Sequence, residues 1–117
     1  MAGAPLDITR SRARKGVTEL RVAGEVDLGA GKELARELAA ALEGGGRVVV
    51  DLRACTFLDS TGLSALIRAA RSTDEPGRMA VYCLPEGMVR NVFSLTRAHT
   101  MLDLHEDRAS ALKALAA

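Results

Sequence analysis

Residues Arg47 to Arg71 read RVVVDLRACTFLDSTGLSALIRAAR, and the spacing of apolar residues changes within this stretch from a continuous run to a helical period. The β-branched run at the start of this stretch predicts a strand that is covered on both faces. A helix is predicted after it, because apolar residues recur at offsets of 0, 3, 4 and 7: Leu63, Leu66, Ile67 and Ala70. Ser60 and Thr61 therefore stand where this helix begins, and their adjacent hydroxyls raise the question of what they do there.

The same patterns extend outward to the rest of the chain. Alternating or continuous apolar runs predict further strands at residues 6–10, 17–24, 79–84 and 101–104. Helical spacing predicts an amphipathic helix over residues 32–42, a third helix around residues 89–93 and a final helix that Asp107 caps. Strands that alternate with helical segments indicate a sheet covered by helices.

Charged residues, glycine and proline mark the expected connections. The charged stretch SRARKG at residues 11–16 predicts a hairpin loop between the first two strands. Three glycines at residues 44–46 predict the end of the first helix, because glycine adopts the left-handed capping conformation at little cost. Pro85 is predicted to stand in the first turn of the third helix, where a missing N–H does no harm.

Length and composition favour one domain over residues 1–117 and exclude several classes of function. The 16 basic and 15 acidic side chains leave a net charge of +1, and 3% aromatic residues offer little for bases to stack on. No nucleic-acid partner is therefore expected. The N-terminal sequence lacks an apolar signal segment and no run is long enough for membrane insertion, which predicts a cytoplasmic protein.

The residues that could act as a nucleophile or a base do not form a catalytic pattern. Ser60 lacks the G-x-S-x-G frame of a hydrolase nucleophile. The two histidines, His99 and His105, are flanked by ordinary surface residues, and both are predicted to lie on the surface. No catalytic residue is therefore predicted.

Metal and redox chemistry are not predicted either. Asp51 and Asp59 are interpreted as a loop anchor and a helix cap rather than as a metal-binding or acid–base pair. Cys55 and Cys83 stand beside apolar stretches, which predicts two buried free thiols. The sequence thus indicates neither a metal nor a cofactor.

Modification of a hydroxyl is the remaining chemistry. Asp59, Ser60 and Thr61 could each cap the helix, and one cap is enough. A phosphate on Ser60 would meet the positive end of the helix dipole and its unpaired N–H groups, so the helix could carry phosphoserine there. The added charge of about −1.5 to −2 would repel an acidic partner. The residues alone leave two interpretations open, a plain cap and a phosphorylation switch.

At this stretch the sequence resembles the anti-sigma factor antagonists, single-domain members of the STAS family. The resemblance covers nearly the whole chain. It rests on two motifs taken together, GEVDL at residues 24–28 and FLDSTGL at residues 57–63, with the β-branched run before the second motif. It implies the STAS fold, an α/β architecture in which a mixed sheet of about four to five strands is flanked by about four helices.

The resemblance also implies a function in bacterial partner switching. Unphosphorylated antagonists bind an anti-sigma factor that is a serine kinase, and so free a sigma factor for transcription. The kinase then phosphorylates the first hydroxyl after the aspartate, here Ser60, which ends the binding, and a PPM-type serine phosphatase restores the protein. Such a protein is a binding module and a substrate, not an enzyme, and it needs no cofactor. The residues implied in partner binding are Asp27, Asp59, Ser60, Thr61, Gly62 and Leu63.

The sequence departs from the family pattern at two places. Ser64 stands where members often have glycine, and Thr96-Arg97-Ala98 stands where T-G-L is common.

Two other functions of STAS domains are alternatives to the antagonist. A STAS regulatory subunit of a membrane transporter ATPase complex would use the same helix face without a phosphorylation cycle. A scaffold or small-ligand STAS domain is the other alternative. The intact D-S-T-G acceptor sequence favours the antagonist.

Overall fold

The computed structural model describes residues 5–116 and contains six strands and four α-helices. The strands are β1 (Asp7–Arg14), β2 (Val17–Val26), β3 (Arg47–Asp51), β4 (Cys55–Leu58), β5 (Met79–Tyr82) and β6 (Leu104–His105). The helices are α1 (Leu28–Leu42), α2 (Ser60–Arg71), α3 (Met88–Thr96) and α4 (Arg108–Ala114). None of these helices in the described range is long and apolar enough to cross a membrane. Of the domain predicted over residues 1–117, residues 1–4 and 117 lie outside the described residues.

The strands form a mixed sheet in the order β1-β2-β3-β5-β6. β1 pairs with β2 in the antiparallel sense, and the other pairs are parallel. β4 lies off this path: it pairs in parallel with residues 24–26 of β2, beyond the point where the pairing of β3 with β2 has ended. The predicted mixed sheet flanked by helices is confirmed, and β4 adds a strand that the sequence pattern did not indicate.

Two apolar layers cover opposite faces of the sheet. The larger layer packs α1, α2 and α3 against one face, through strand residues that include Leu20, Val22, Val48 and Val50. The smaller layer packs α4 against alternate residues on the other face: Val17, Val49, Ala80 and Tyr82. β3 is thus covered on both faces, as its β-branched run predicts.

A polar network fastens α4 to the sheet beside the smaller layer. The Tyr82 hydroxyl donates to Glu19 Oε2 at 2.7 Å, and Arg108 Nε donates to Glu19 Oε1 at 2.9 Å. Burial, together with the bond to Glu19, raises the pKa of Tyr82. Burial acts to raise the pKa of Glu19 as well, but the hydrogen bonds from Arg108 and Tyr82 outweigh it and the pKa is lowered. The charges of Glu19 and Arg108 are therefore paired with each other, and the Tyr82 hydroxyl has an acceptor.

The charged stretch at residues 11–16 is not the predicted loop. β1 continues through Arg14, and only Lys15 and Gly16 turn the chain, with Gly16 at a φ of 77°. β1 is an edge strand that is exposed along most of its length, so charged side chains fit on both of its faces. The second half of β1, residues 11–14, therefore carries no apolar alternation by which it could be recognised as a strand.

Other boundaries differ from the predictions as well, including the ends of β2 at Val26 and of β5 at Tyr82. α1 begins at Leu28, not at residue 32, so its first turn includes two glycines. Pro85 stands in the loop before α3, which begins at Met88 after Gly87. The last strand is Leu104–His105 rather than residues 101–104, because a short 3₁₀ turn at Ala98–Thr100 places Met101 outside the sheet. The Asp107 cap of α4 is confirmed, since its side chain accepts from the Ser110 N–H.

Gly62, in the first turn of α2, packs against β2 and β4 without room for a side chain. A methyl group at this position would lie 2.5 Å from Leu58 Cδ1 and 2.6 Å from Val26 Cγ1. Both neighbours are fully buried, and Val26 is stiff because it is β-branched. There is therefore no free space at Gly62 for a methyl group.

We expect Gly62→Ala to lower the free energy of unfolding by about 1–3 kcal/mol, because the methyl group overpacks this contact. Gly29→Ala is the matched control, since Gly29 lies in the first turn of α1 and a methyl group there meets nothing within 4 Å. Its expected effect is a gain of up to about 1 kcal/mol from helix propensity. Urea denaturation measures both, and equal stability of the two variants would contradict the close packing at Gly62.

Candidate functional site

The pairing of β2 with β4 brings two aspartates to the same end of the sheet. Val26 and Leu58 are register partners, and the Asp59 N–H donates to the Val26 carbonyl at 3.1 Å. Asp27 follows Val26 and precedes α1, while Asp59 follows Leu58 and precedes α2. The two helices therefore begin side by side, and the motifs GEVDL and FLDSTGL meet although they are far apart in the sequence.

Asp59 is the residue that caps α2. Its Oδ1 accepts from the N–H groups of Thr61 at 3.0 Å and Gly62 at 3.1 Å, and from the Thr61 hydroxyl at 2.6 Å. Partial burial acts to raise the pKa of the Asp59 carboxyl, but these hydrogen bonds outweigh it and the pKa lies below its ordinary value. Of the three capping residues that the sequence left open, the structure selects Asp59.

Thr61 connects the two helix starts. Its hydroxyl lies 2.6 Å from Asp59 Oδ1 and 3.3 Å from the carbonyl oxygen of Asp27. Gly31 in α1 packs directly on it, because a methyl group at Gly31 would lie 2.7 Å from Thr61 Oγ1. Thr61 therefore has a capping and packing role.

Ser60 differs from Asp59 and Thr61 because its side chain takes no part in these hydrogen bonds. It is the first residue of α2 and is exposed. Its side chain makes no hydrogen bond to any residue of the described chain. The Ser60 hydroxyl is therefore accessible from the solvent at the start of α2.

The six residues implied in partner binding lie at different depths. Asp27 and Ser60 are exposed, and Asp59 and Thr61 are half-buried. Gly62 and Leu63 are buried, Leu63 with 9% of its surface exposed. The last two therefore lie beneath the surface that the other four residues form.

Asp51 lies apart from Asp59 and has its own partner. It is 3% exposed at the end of β3 and accepts from the Arg53 backbone N–H at 2.9 Å and from Arg53 Nη2 at 3.0 Å. Burial acts to raise the pKa of the Asp51 carboxyl, but the bonds from Arg53 lower it overall. Asp51 is thus the predicted loop anchor. Within residues 5–116 no group of three His, Cys, Asp or Glu side chains is placed to hold a metal ion.

The histidines make contacts of their own away from Ser60. His99 is exposed, and its Nδ1 lies 3.4 Å from the Phe93 carbonyl oxygen. His105 is only partly exposed, because the pairing of β6 with β5 leaves its side chain 20% exposed. Its Nε2 lies 2.8 Å from Asp103 Oδ1.

The predicted buried thiols are confirmed. Cys55 and Cys83 are both free and buried in the larger apolar layer. Burial raises the pKa of each thiol, which lowers its reactivity. Neither cysteine has the properties of a redox or nucleophilic group.

A groove of about 590 Å³ runs between α1 and α2, from Ser60 at one end to Ser72 at the other. Its walls are mostly small residues: Gly31, Ala35, Ala39, Ala65 and Ala69. Its charged groups are Lys32 and Arg68, and no described carboxylate lines it. From the sequence, Ser64 stood out only as a departure from the family pattern, and Lys32 had no predicted role. The spacing of Ser60, Ser64 and Arg68 at four-residue intervals was a signal for one wall, but the position of Lys32 requires knowing where α1 begins.

The chain matches the family model described as "Mlab, STAS domain" over residues 9–106, which is most of its length. No curated protein sequence matches it.

The fold is similar to that of an anti-sigma factor antagonist from Mycobacterium paratuberculosis, with a TM-score of 0.85 at 23% identity, covering 95% of this chain and 94% of that chain. It is also similar to the anti-sigma factor antagonist SpoIIAA in its unphosphorylated form, with a TM-score of 0.67 at 18% identity, covering 89% of this chain and 90% of that chain. The Bacillus cell fate determinant SpoIIAA in the phosphorylated form gives a TM-score of 0.66 at 16% identity, covering 89% and 94%. At these identities the likeness establishes the fold.

We expect Asp59→Ala to lower the free energy of unfolding by about 1 kcal/mol at pH 7, because the Thr61 and Gly62 amides lose their acceptor. Asp59→Asn should keep most of this stability. Because the folded-state pKa of Asp59 is lowered, its contribution is present above the unfolded value of about 3.9 and is lost as the pH falls through the folded value. Urea denaturation between neutral and acidic pH measures the difference.

Asp27→Ala is the control for this prediction. Asp27 also precedes a helix, but its side chain makes no capping hydrogen bond. Its replacement should change the free energy of unfolding by no more than about 0.5 kcal/mol. An effect as large as that of Asp59→Ala would show that Asp59 acts through charge near the helix dipole and not through its hydrogen bonds.

Proposed function

Because the chain belongs to the STAS domain family, we propose that it is an anti-sigma factor antagonist controlled by phosphorylation of Ser60. The unphosphorylated protein binds an anti-sigma factor that is also a serine kinase, and this binding frees a sigma factor for transcription. The observation that carries the proposal is the exposed Ser60 hydroxyl, which has no partner within residues 5–116 while Asp59 and Thr61 beside it are engaged. The similar folds of SpoIIAA in its unphosphorylated and phosphorylated forms support it.

The switching step is a phosphoryl transfer that the kinase performs on this protein. The Ser60 Oγ–H bond breaks, Oγ bonds to the γ-phosphorus of ATP, ADP leaves, and the hydroxyl proton passes to a base on the kinase. The chain supplies only the acceptor, so the ATP and its magnesium belong to the kinase. A PPM-type serine phosphatase then hydrolyses the phosphoester with water and regenerates the hydroxyl.

The proposed docking surface is the end of the sheet where α1 and α2 begin. Asp27, Asp59, Ser60 and Thr61 contribute exposed atoms to it. Gly62 and Leu63 support this surface from beneath, because Gly62 packs against β2 and β4 and Leu63 is buried in the larger apolar layer. The hydrogen bonds that Asp59 accepts fix the backbone at the start of α2, where Ser60 lies, which reduces the ordering cost of docking.

Phosphorylation ends binding because of charge and bulk at the centre of this surface. The phosphate adds a charge of about −1.5 to −2 beside the carboxylate of Asp59. A partner that covers Ser60 closely would have to make room for the phosphate and take its charge out of water, and this desolvation is costly even for a charge that has a partner. The modified protein therefore dissociates.

A second candidate function is that of a STAS regulatory subunit of a membrane transporter ATPase complex. It is favoured by the description of the matched family model, which names Mlab. Such a subunit would use the same surface, with Ser60 unmodified. The two functions differ in the partner and in whether binding responds to a phosphate.

We expect Ser60→Ala, as a tagged bait in the native cell, to retain a small ATP-binding serine kinase more strongly than the wild type does, because release requires the phosphate. Ser60→Asp should weaken the complex by roughly tenfold, about 1.4 kcal/mol, since a single carboxylate imitates phosphate only in part. Mass spectrometry of the retained proteins identifies the partner, and titration of the purified pair gives Kd.

Ser94→Ala is the matched control, because Ser94 is an exposed hydroxyl on α3. It should bind as the wild type does. Binding of the kinase by Ser60→Asp with the affinity of the wild type would contradict the charge argument. Recovery of a transporter ATPase in equal amounts on every bait would reject the antagonist and favour the second candidate.

A further inference from the structure

The amides at the start of α2 are not available to a phosphate on Ser60. Asp59 already accepts from the N–H groups of Thr61 and Gly62, and the Leu63 N–H donates to the Asp59 carbonyl at 3.0 Å. The expectation that the phosphate would meet unpaired N–H groups is therefore wrong for these three amides. A phosphate on Ser60 also stands next to the Asp59 carboxylate, so it requires positive charge from elsewhere.

Lys32 is the cation at the same end of the groove as Ser60. Gly31, its neighbour in α1, lies against Thr61, so the backbone of α1 approaches α2 closely at this point. Lys32 is exposed, lines the groove together with Ser60, and makes no hydrogen bond or ion pair with any described residue. Its flexible four-carbon stem carries an ammonium group with three donors.

Ser64 provides a second donor from α2 itself. It lies one helical turn after Ser60, is exposed and lines the same groove. Residues four apart on a helix have Cβ atoms about 5–6 Å apart, and side chains lean toward the helix N-terminus. The Ser64 hydroxyl is therefore directed toward the position that a phosphate on Ser60 would occupy. A glycine here would offer no donor.

We propose that Lys32 and Ser64 hold the phosphate on Ser60 at the mouth of the groove between α1 and α2, through an ion pair and a hydrogen bond. The inference rests on the phosphorylation of Ser60 proposed above, and it assigns the residues that stabilise the modified state on this chain. Both are positioning residues. The phosphate then covers the groove end and neutralises its cation, instead of lying over the N-terminus of α2.

The test uses the full chain with phosphoserine incorporated at position 60 during synthesis, so no kinase is needed. Phosphorus NMR measures the second pKa of the phosphate, which is ordinarily about 6. A nearby cation favours the dianion and lowers this pKa. At about 0.15 M salt we expect Lys32→Gln to raise it by roughly half a pH unit, Lys32→Arg to restore it, and Ser64→Ala to raise it by less.

Arg36→Gln is the matched control, because it removes the same charge from the same exposed helix at a residue that does not line the groove. It should move the pKa by clearly less than Lys32→Gln does, since Arg36 lies one helical turn further from the contact of Gly31 with Thr61, and at this salt concentration the effect of a charge falls off over about 8 Å. Equal shifts for Lys32→Gln and Arg36→Gln, or no shift for Lys32→Gln, would overturn the inference. A pKa shift that is specific to Lys32→Gln would support the inference. If the tagged proteins of the binding experiment retained no kinase, that separate result would count against the proposed function and not against the role of Lys32.

Discussion

The parallel pairing of Val26 with Leu58 is the contact on which the rest of the site depends. It starts α1 and α2 at the same edge of the sheet and sets Asp27 and Asp59 side by side. Gly62 makes the pairing compatible with a close helix, because any larger residue would meet both strands. A shift by one residue would turn Val26 out of the core, and the buried face of β2 opposes such a shift.

The hydrogen-bond donors at the start of α2 are few, and Asp59 accepts from most of them. Asp59 takes the amides of the first turn, and Thr61 is engaged with Asp59 and with the loop before α1. Ser60 is left exposed as a consequence. The same occupancy leaves those amides unavailable to a phosphate, which is why a cation on the other helix, Lys32, becomes relevant. The properties of Ser60 thus follow from what its neighbours have already bound.

The sequence predictions succeeded in the centre of the sheet and failed at its margins. β3 and β5 are buried on both faces, so their apolar runs stand out. The second half of β1, residues 11–14, belongs to an exposed edge strand, and its charged residues give no alternation. β4 is a strand of four residues that pairs with β2. The start of α1 was missed because glycines at residues 29 and 31 lower helix propensity, a loss that packing against α2 offsets.

The sequence by itself determined the alternation of strands and helices, the two motifs and the cluster of three capping residues, because hydrophobic period and local hydrogen-bonding chemistry act over a few neighbouring residues. Only the tertiary structure decided that Thr61 is packed in place while Ser60 stays exposed, since Asp27 and Gly31 reach Thr61 from another helix start. It likewise decided that Lys32 and Ser64 share a groove with Ser60. These outcomes depend on contacts between distant segments, which local sequence patterns do not encode.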